Sequence, residues 1–477
     1  MKRFVAFSAR LMRSPAVSTP FRHRSSRFAA ALLLCLAGAG ALAAPEDDKA
    51  ARFYEDALVR YEAHDLPGAI IQLKNALQVK KNLLPVHVLL GKALLENSEV
   101  GAAEVAFTEA LRLGVSRAEV VVPLAQSYVG QGKQKLLLEE AQFNPAGLPE
   151  GVRFDLLLLR AAAAADLGNT AAALRTIGEA RAIDTASSRS WLAEVPIRIR
   201  AGQFDQADVA AGKALTLAPE SADAWYQQGS VAHVQGNLES ALAAYDKALG
   251  FDADHIEARV TRAGLLLDMG RADAAAKDVA ELRRISPKEP RGAYLNALLA
   301  ERRGDAEAAA SSLREVTALL DPVPIDFIRY RAQLLMLNGL AHFGLNQREK
   351  AKAYLETFQR VQGHSAASKI LARLYMADRN VHEAMTVLEG YLRRQPGDPQ
   401  ALTLLASVHM SRGDHDKATA LMQQALRSSD APQLRTALGL TLLGGGNLAD
   451  ATTELAAAYK RDPRQTQAGS ALVGLYL

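Results

Sequence analysis

The sequence is 477 residues long, 49% hydrophobic and 23% charged, with 56 Lys+Arg against 52 Asp+Glu. The net +4 belongs to residues 1–43, which hold seven bases and no acid; the remainder is net −3, without the basic footprint that nucleic-acid binding needs. Its one cysteine, Cys35, lies in that same leader, so the rest of the chain has no disulfide, thiolate metal site or Cys nucleophile.

In chain order, the first element is a leader. Arg/Lys-rich residues 1–28 precede the apolar run "FAAALLLCLAGAGALAA" (28–44), which ends in the small residues Ala41 and Ala43. This is the pattern of a secretory signal peptide cut after Ala43. The long basic region leaves Met12 as an alternative start. A mitochondrial transit peptide shares the acid-free beginning but not the compact apolar core. The run is shorter than the ~20 residues of a membrane span. Leu34 stands where lipidation at Cys35 would need a small residue.

From residue 49 onward the elements repeat. With Gly236 as origin, the stretch "WYQQGSVAHVQGNLESALAAYDKAL" (225–249) defines a template that recurs at twelve origins: His64, Ser98, Gly132, Gly168, Gly202, Gly236, Gly270, Gly304, Asn346, Arg379, Gly413 and Gly446. Five residues after the origin, eleven of the twelve have Ala, and Leu137 is the exception; seven have Ala twelve residues after it. Both tryptophans, Trp191 and Trp225, share one offset, and Pro219, Pro287, Pro396 and Pro463 share another. Each unit therefore reads as a helix, a turn at the origin in left-handed conformation, and a second helix whose small residues form one face. One hairpin of this size buries too little to be stable, so neighbours must stack.

Two Pro-rich breaks interrupt the array, "NPAGLPEG" (144–151) and "DPVPID" (321–326). They predict three segments: 44–144 with three units, 145–320 with five, and 321–477 with four and an unpaired last helix, "TQAGSALVGLYL" (466–477). Pro196 should kink the first helix of its unit or shift its start. The apolar end predicts that the last helix docks as a cap or that the native chain continues past Leu477.

No catalytic constellation emerges. The nine histidines beyond the leader show no ligand spacing; "GDHD" (413–416) reads as a solvated turn with Asp414 capping the next helix. "LLGGGNLAD" (442–450) is the recurring turn rather than a phosphate loop, and "GSALVG" (469–474) lacks the strand a nucleophile elbow needs. The sequence predicts no enzyme activity, no cofactor and no metal site.

The register of Gly, Ala, aromatic and Pro resembles that of tetratricopeptide (TPR) repeats over residues 49–477. The resemblance implies an all-α, right-handed superhelical solenoid of about twelve hairpins plus a terminal helix. It also implies that the first helices line a groove for peptides or helices. By the family pattern the inward positions include Asp223, Tyr226, Ser230 and His233 in the central unit. In the unit before Arg379 they are Ala366, Lys369, Arg373 and Met376, of which Lys369 and Arg373 are expected to hold a carboxylate. Elsewhere the groove is expected to be apolar, with Leu94, Leu95, Val122, Val129, Leu158, Leu440 and Leu443. The Asn residues of co-chaperone TPR domains are missing.

The segments "YEDALVRYEAHDLPGAIIQLKNALQ" (54–78), "LLGKALLENSEVGAAEVAFTEALRLGV" (89–115) and "PLAQSYVGQGK" (123–133) resemble the TPR-repeat proteins of the PEP-CTERM/exosortase system (PrsT type). That similarity implies a periplasmic scaffold of a Gram-negative bacterium, linked to exopolysaccharide production and surface-protein sorting. Its partners would be envelope proteins of the export system, or polysaccharide, with no nucleic acid. Members of that group are often lipoproteins and longer than this chain. Two alternatives stand beside it: the adaptor of an outer-membrane polysaccharide export channel, and the recognition arm of a glycosyltransferase.

Overall fold

The computed structural model describes residues 45–323, 325 and 332–477. The leader, its cleavage site at Ala43 and Cys35 lie outside the described residues, as do Pro324 and Asp326 of the second Pro-rich break. Among the described residues there are helices and turns and no strand, and no helix is long and apolar enough to cross a membrane.

The chain forms two compact units, which divide between Leu266 and Leu267, within the helix Ile256–Asp268. The first unit stacks six helix pairs, from Pro45–Glu62 with Leu66–Val79 to Ala222–Val234 with Leu238–Phe251. The second unit contains five pairs, from Pro290–Arg303 with Ala306–Leu320 to Pro432–Gly444 with Leu448–Arg461. Within each unit consecutive pairs pack on one another, which makes each a solenoid of helix hairpins.

All twelve predicted origins are left-handed, including the four that are not glycine: His64 (φ 58), Ser98 (φ 65), Asn346 (φ 58) and Arg379 (φ 61). The reason is how the first helix ends. At Gly236, the N–H of Asn237 returns to the carbonyl of Ala232 (2.9 Å), and the same bond recurs from Asp65 to Arg60 and from Asn447 to Leu442. This closure satisfies orphan carbonyls only when the residue before the donor is left-handed.

The alanines five and twelve residues on form the predicted seam. Ala69, Ala103, Ala241, Ala384 and Ala451 are fully buried, as are Ala76, Ala110, Ala248 and Ala458; Ala309 alone of the first set is partly exposed. Opposite them a size rule operates. Seven residues before the origin the chain has Gly where the residue nine after the origin is aromatic, and also opposite Leu355 and Leu455. A Cβ on Gly91 would come within 2.5 Å of the Phe107 ring, and one on Gly229 within 2.6 Å of the Tyr245 ring. Where Leu or Ile takes the second position, Ala often fits the first, as in Ala57 with Leu73 and Ala161 with Ile177.

The third pair departs from the rule. Its second helix, Gln134–Glu139, stops after six residues and passes into a 3-10 turn, Ala141–Phe143. Leu137 and Phe143 are fully buried there in place of the missing alanines. Arg160, from the next helix, closes the exposed end by donating to the carbonyls of Leu137 (2.8 Å), Leu138 (3.2 Å) and Phe143 (3.2 Å).

Three local expectations need correction or sharpening. Pro196 does not set a helix start: Ser188–Arg200 runs through it and begins behind Ser187, whose hydroxyl accepts from the Arg189 N–H (3.3 Å). Asp414 occupies the cap position but makes no cap bond; its carboxylate accepts instead from His409 Nδ1 (3.1 Å). The helix Thr466–Tyr476 docks on Leu448–Arg461 through Ala468, while Val473 and Tyr476 remain exposed.

Candidate functional site

Two positions of each first helix, ten and three residues before the origin, lie seven residues apart and so share one face over about two turns. In the first three hairpins these are Tyr54 and Tyr61, Val88 and Leu95, and Val122 and Val129. All six are partly buried apolar side chains resting on the core of the first unit. They form a stripe without a charge of its own. Tyr61 donates its hydroxyl to Glu96, which anchors the stripe to the polar margin. Leu94 and Leu158, expected beside it, are instead core residues at 2% and 3% exposure.

The corresponding face in the sixth hairpin is built differently from the sequence expectation. Tyr226, Ser230 and His233 do fall on one side of Ala222–Val234, but all three are buried. The Tyr226 ring lies 6.0 Å from that of Tyr245 and 5.3 Å from that of His255. Ser230 donates back to the Tyr226 carbonyl (3.0 Å), and His233 Nδ1 is 3.4 Å from the Tyr245 hydroxyl. Asp223 stays exposed, its carboxylate 3.1 Å from His255 Nε2. Burial pushes the Tyr245 hydroxyl strongly up, so it stays neutral. This cluster packs the hairpin and offers a partner little beyond Asp223.

Lys369 and Arg373 also part company. Lys369 is buried, with Nζ 2.7 Å from Asp398 Oδ2 and 3.2 Å from Gln400 Oε1. The carboxylate expected of a partner is therefore supplied by the chain itself. Asp398 also accepts from the Tyr391 hydroxyl (2.8 Å) and from the N–H groups of Gln400 and Ala401 (2.9 Å each), capping the helix Pro399–Ser411. Burial alone would raise its pKa; Lys369, the Ala401 N–H and Tyr391 outweigh it and hold the carboxyl below its usual range. Arg373 is exposed.

A second carboxylate knot lies at the start of the 321–326 break. Asp321 accepts from Asn338 Nδ2 (2.9 Å), His342 Nε2 (2.9 Å) and Lys350 Nζ (2.8 Å). Burial opposes its ionisation, yet these donors bring its pKa down to about 2. Nothing in the sequence pattern marked Asp321, because its donors come from two later helices. Among the described residues no group of three His, Cys, Asp or Glu side chains is placed to hold a metal ion.

Sequence profiles of the tetratricopeptide repeat match residues 192–256, 336–399, 371–433 and 403–466, and a second such profile matches 232–301. No curated protein matches the chain. Among solved structures, a chain in the crystal structure of the APC/C hetero-tetramer Cut9-Hcn1 aligns with 91% of this chain and 96% of its own length. The identity is 13% and the TM-score 0.49. The matched segments together span just over half of the sequence. The chain belongs to the tetratricopeptide repeat family.

Proposed function

We propose that the protein is a non-enzymatic scaffold that binds protein partners of an envelope export system in the periplasm. The observation that carries this reading is the apolar stripe of Tyr54, Tyr61, Val88, Leu95, Val122 and Val129, partly buried on three successive first helices. Such a face suits an apolar segment of a partner, because burying it adds hydrophobic energy without stranding a charge. Residues 54–133, where the stripe lies, are also those that resemble the PrsT-type proteins. That coincidence supports a role in exopolysaccharide production and PEP-CTERM surface-protein sorting. The basic, acid-free leader ending at Ala43 supports export.

The test is photo-crosslinking in a bacterium that exports the full chain, with the probe at Val88 and separately at Val122. Adducts to envelope secretion or polysaccharide-assembly proteins support the reading. Contact with glycan alone, and with no protein, overturns it in favour of a polysaccharide-handling surface. Fractionation checks the location: a product beginning at Ala44 in the periplasm is expected, and an uncut cytoplasmic chain refutes export.

A further inference from the structure

Between the helices Arg348–Gln362 and Ser368–Ala377 lies a cleft of about 320 Å³, lined by Glu356, Gln359, Arg360, His364, Leu371 and Tyr375. None of its lining residues belongs to the apolar stripe or to the inward positions expected from the sequence. Gly363, at φ 73, makes the turn that presents His364. The imidazole is wedged against Gly390, where an added Cβ would sit 2.2 Å from Nε2, and its Nδ1 is buried without a hydrogen-bond partner.

The charges around this histidine do not balance. Arg360 spends one N–H on the Thr357 hydroxyl (2.8 Å), and Arg394 spends one on the His364 carbonyl (3.4 Å). Arg393 stands close enough, with Arg394, to disfavour protonation of His364, which burial already holds below its ordinary pKa. Among the described residues none of these three arginines forms an ion pair, whereas Arg435 and Arg181 each hold a carboxylate within 2.7 Å. The one carboxylate of the cleft, Glu356, accepts from the Tyr375 hydroxyl (2.8 Å).

We propose that this cleft takes an acidic side chain of a partner polypeptide, its carboxylate held by the Arg360 guanidinium that lines it. The proposal rests on the scaffold reading above and adds the chemistry of a second contact. A guanidinium fork matches a carboxylate in two parallel hydrogen bonds. The partly exposed Tyr375 ring gives a neighbouring residue of the segment an apolar contact.

The experiment uses the full chain and a blocked, fluorescein-labelled peptide of alternating Glu and Leu, with a Gln/Leu peptide of equal length beside it. Anisotropy titrations should show binding of the Glu peptide alone, weakening as salt rises. Arg360→Ala should weaken it about tenfold or more, the size expected for a lost charge-assisted bond. Arg427→Ala, at an exposed position elsewhere, should leave binding unchanged, and circular dichroism verifies that each variant is folded. Binding should also raise the His364 titration midpoint, read by NMR, because the new carboxylate offsets Arg393 and Arg394 while Glu356 is unchanged.

Equal binding of both peptides, or wild-type affinity in Arg360→Ala, overturns the proposal. So does a His364 shift caused by inorganic phosphate or a uronic-acid oligosaccharide but not by the Glu peptide. Crosslinks retained at Val88 and Val122 alongside such a failure would sink this site alone and leave the scaffold reading standing.

Discussion

Gly229 and Tyr245 form the sharpest test of the size rule. A Cβ at position 229 would lie 2.6 Å and 2.7 Å from two Tyr245 ring carbons and 3.2 Å from the Ala241 carbonyl oxygen. The ring is fully buried and has no space to retreat into. Gly229→Ala gains about 1 kcal/mol of helix propensity but loses about 1–3 kcal/mol to overpacking. The expected net is a destabilisation of about 1 kcal/mol. Tyr245→Leu empties part of the core and should cost about 2–4 kcal/mol. The double variant recreates the Ala-with-Leu pairing of Ala57 with Leu73 and Ala372 with Leu388, all buried without strain in their own hairpins. It should therefore be more stable than the sum of the single effects predicts, by about 1–2 kcal/mol. Urea unfolding followed by tryptophan fluorescence suits the measurement, because the only tryptophans, Trp191 and Trp225, sit in this hairpin and the one before it. Additive single effects, within about 0.3 kcal/mol, would show that the two positions do not share one space and would refute the rule.

Other consequences follow from the same geometry. Replacing the strained origins, His64→Gly or Arg379→Gly, should stabilise by about 1 kcal/mol each, while Gly236→Ala should cost about as much; denaturation midpoints that move the other way would contradict the left-handed assignment. Ala241→Leu should overpack the seam by about 1–3 kcal/mol, and an unchanged melting temperature would place Ala241 on the wrong face. Asp398→Asn strands the buried Lys369 ammonium and should cost about 3 kcal/mol at neutral pH. Because the Asp398 pKa is lowered in the fold, its contribution is complete above 3.8 and disappears as pH falls through the native value. The gap between wild type and variant should therefore close in acid, and a gap that widens would reverse the assignment. Arg160→Met should free the Leu137, Leu138 and Phe143 carbonyls and speed hydrogen exchange between residues 134 and 148; unchanged protection there would mean that the arginine is not what closes the shortened helix.

The sequence by itself determined the hairpin. Left-handed origins and alanines on one face obey local rules of period and volume, so the spacing around Gly236 was enough to place them. Even Arg379 and His64 could be set in the left-handed turn, because the repeat register outweighed their poor fit. Only the tertiary structure decided which inward-facing residues stay accessible. Tyr226 and His233 have the right helical spacing for a binding face, but His255, more than twenty residues on, packs against it. Lys369 looks like a free cation until Asp398, twenty-nine residues later, folds onto it. The Arg360 and His364 cleft was equally hidden, because its residues come from one helix, the turn after it and the start of the next pair. Burial and charge pairing depend on neighbours that the chain supplies one or more repeats away, and no local period encodes them.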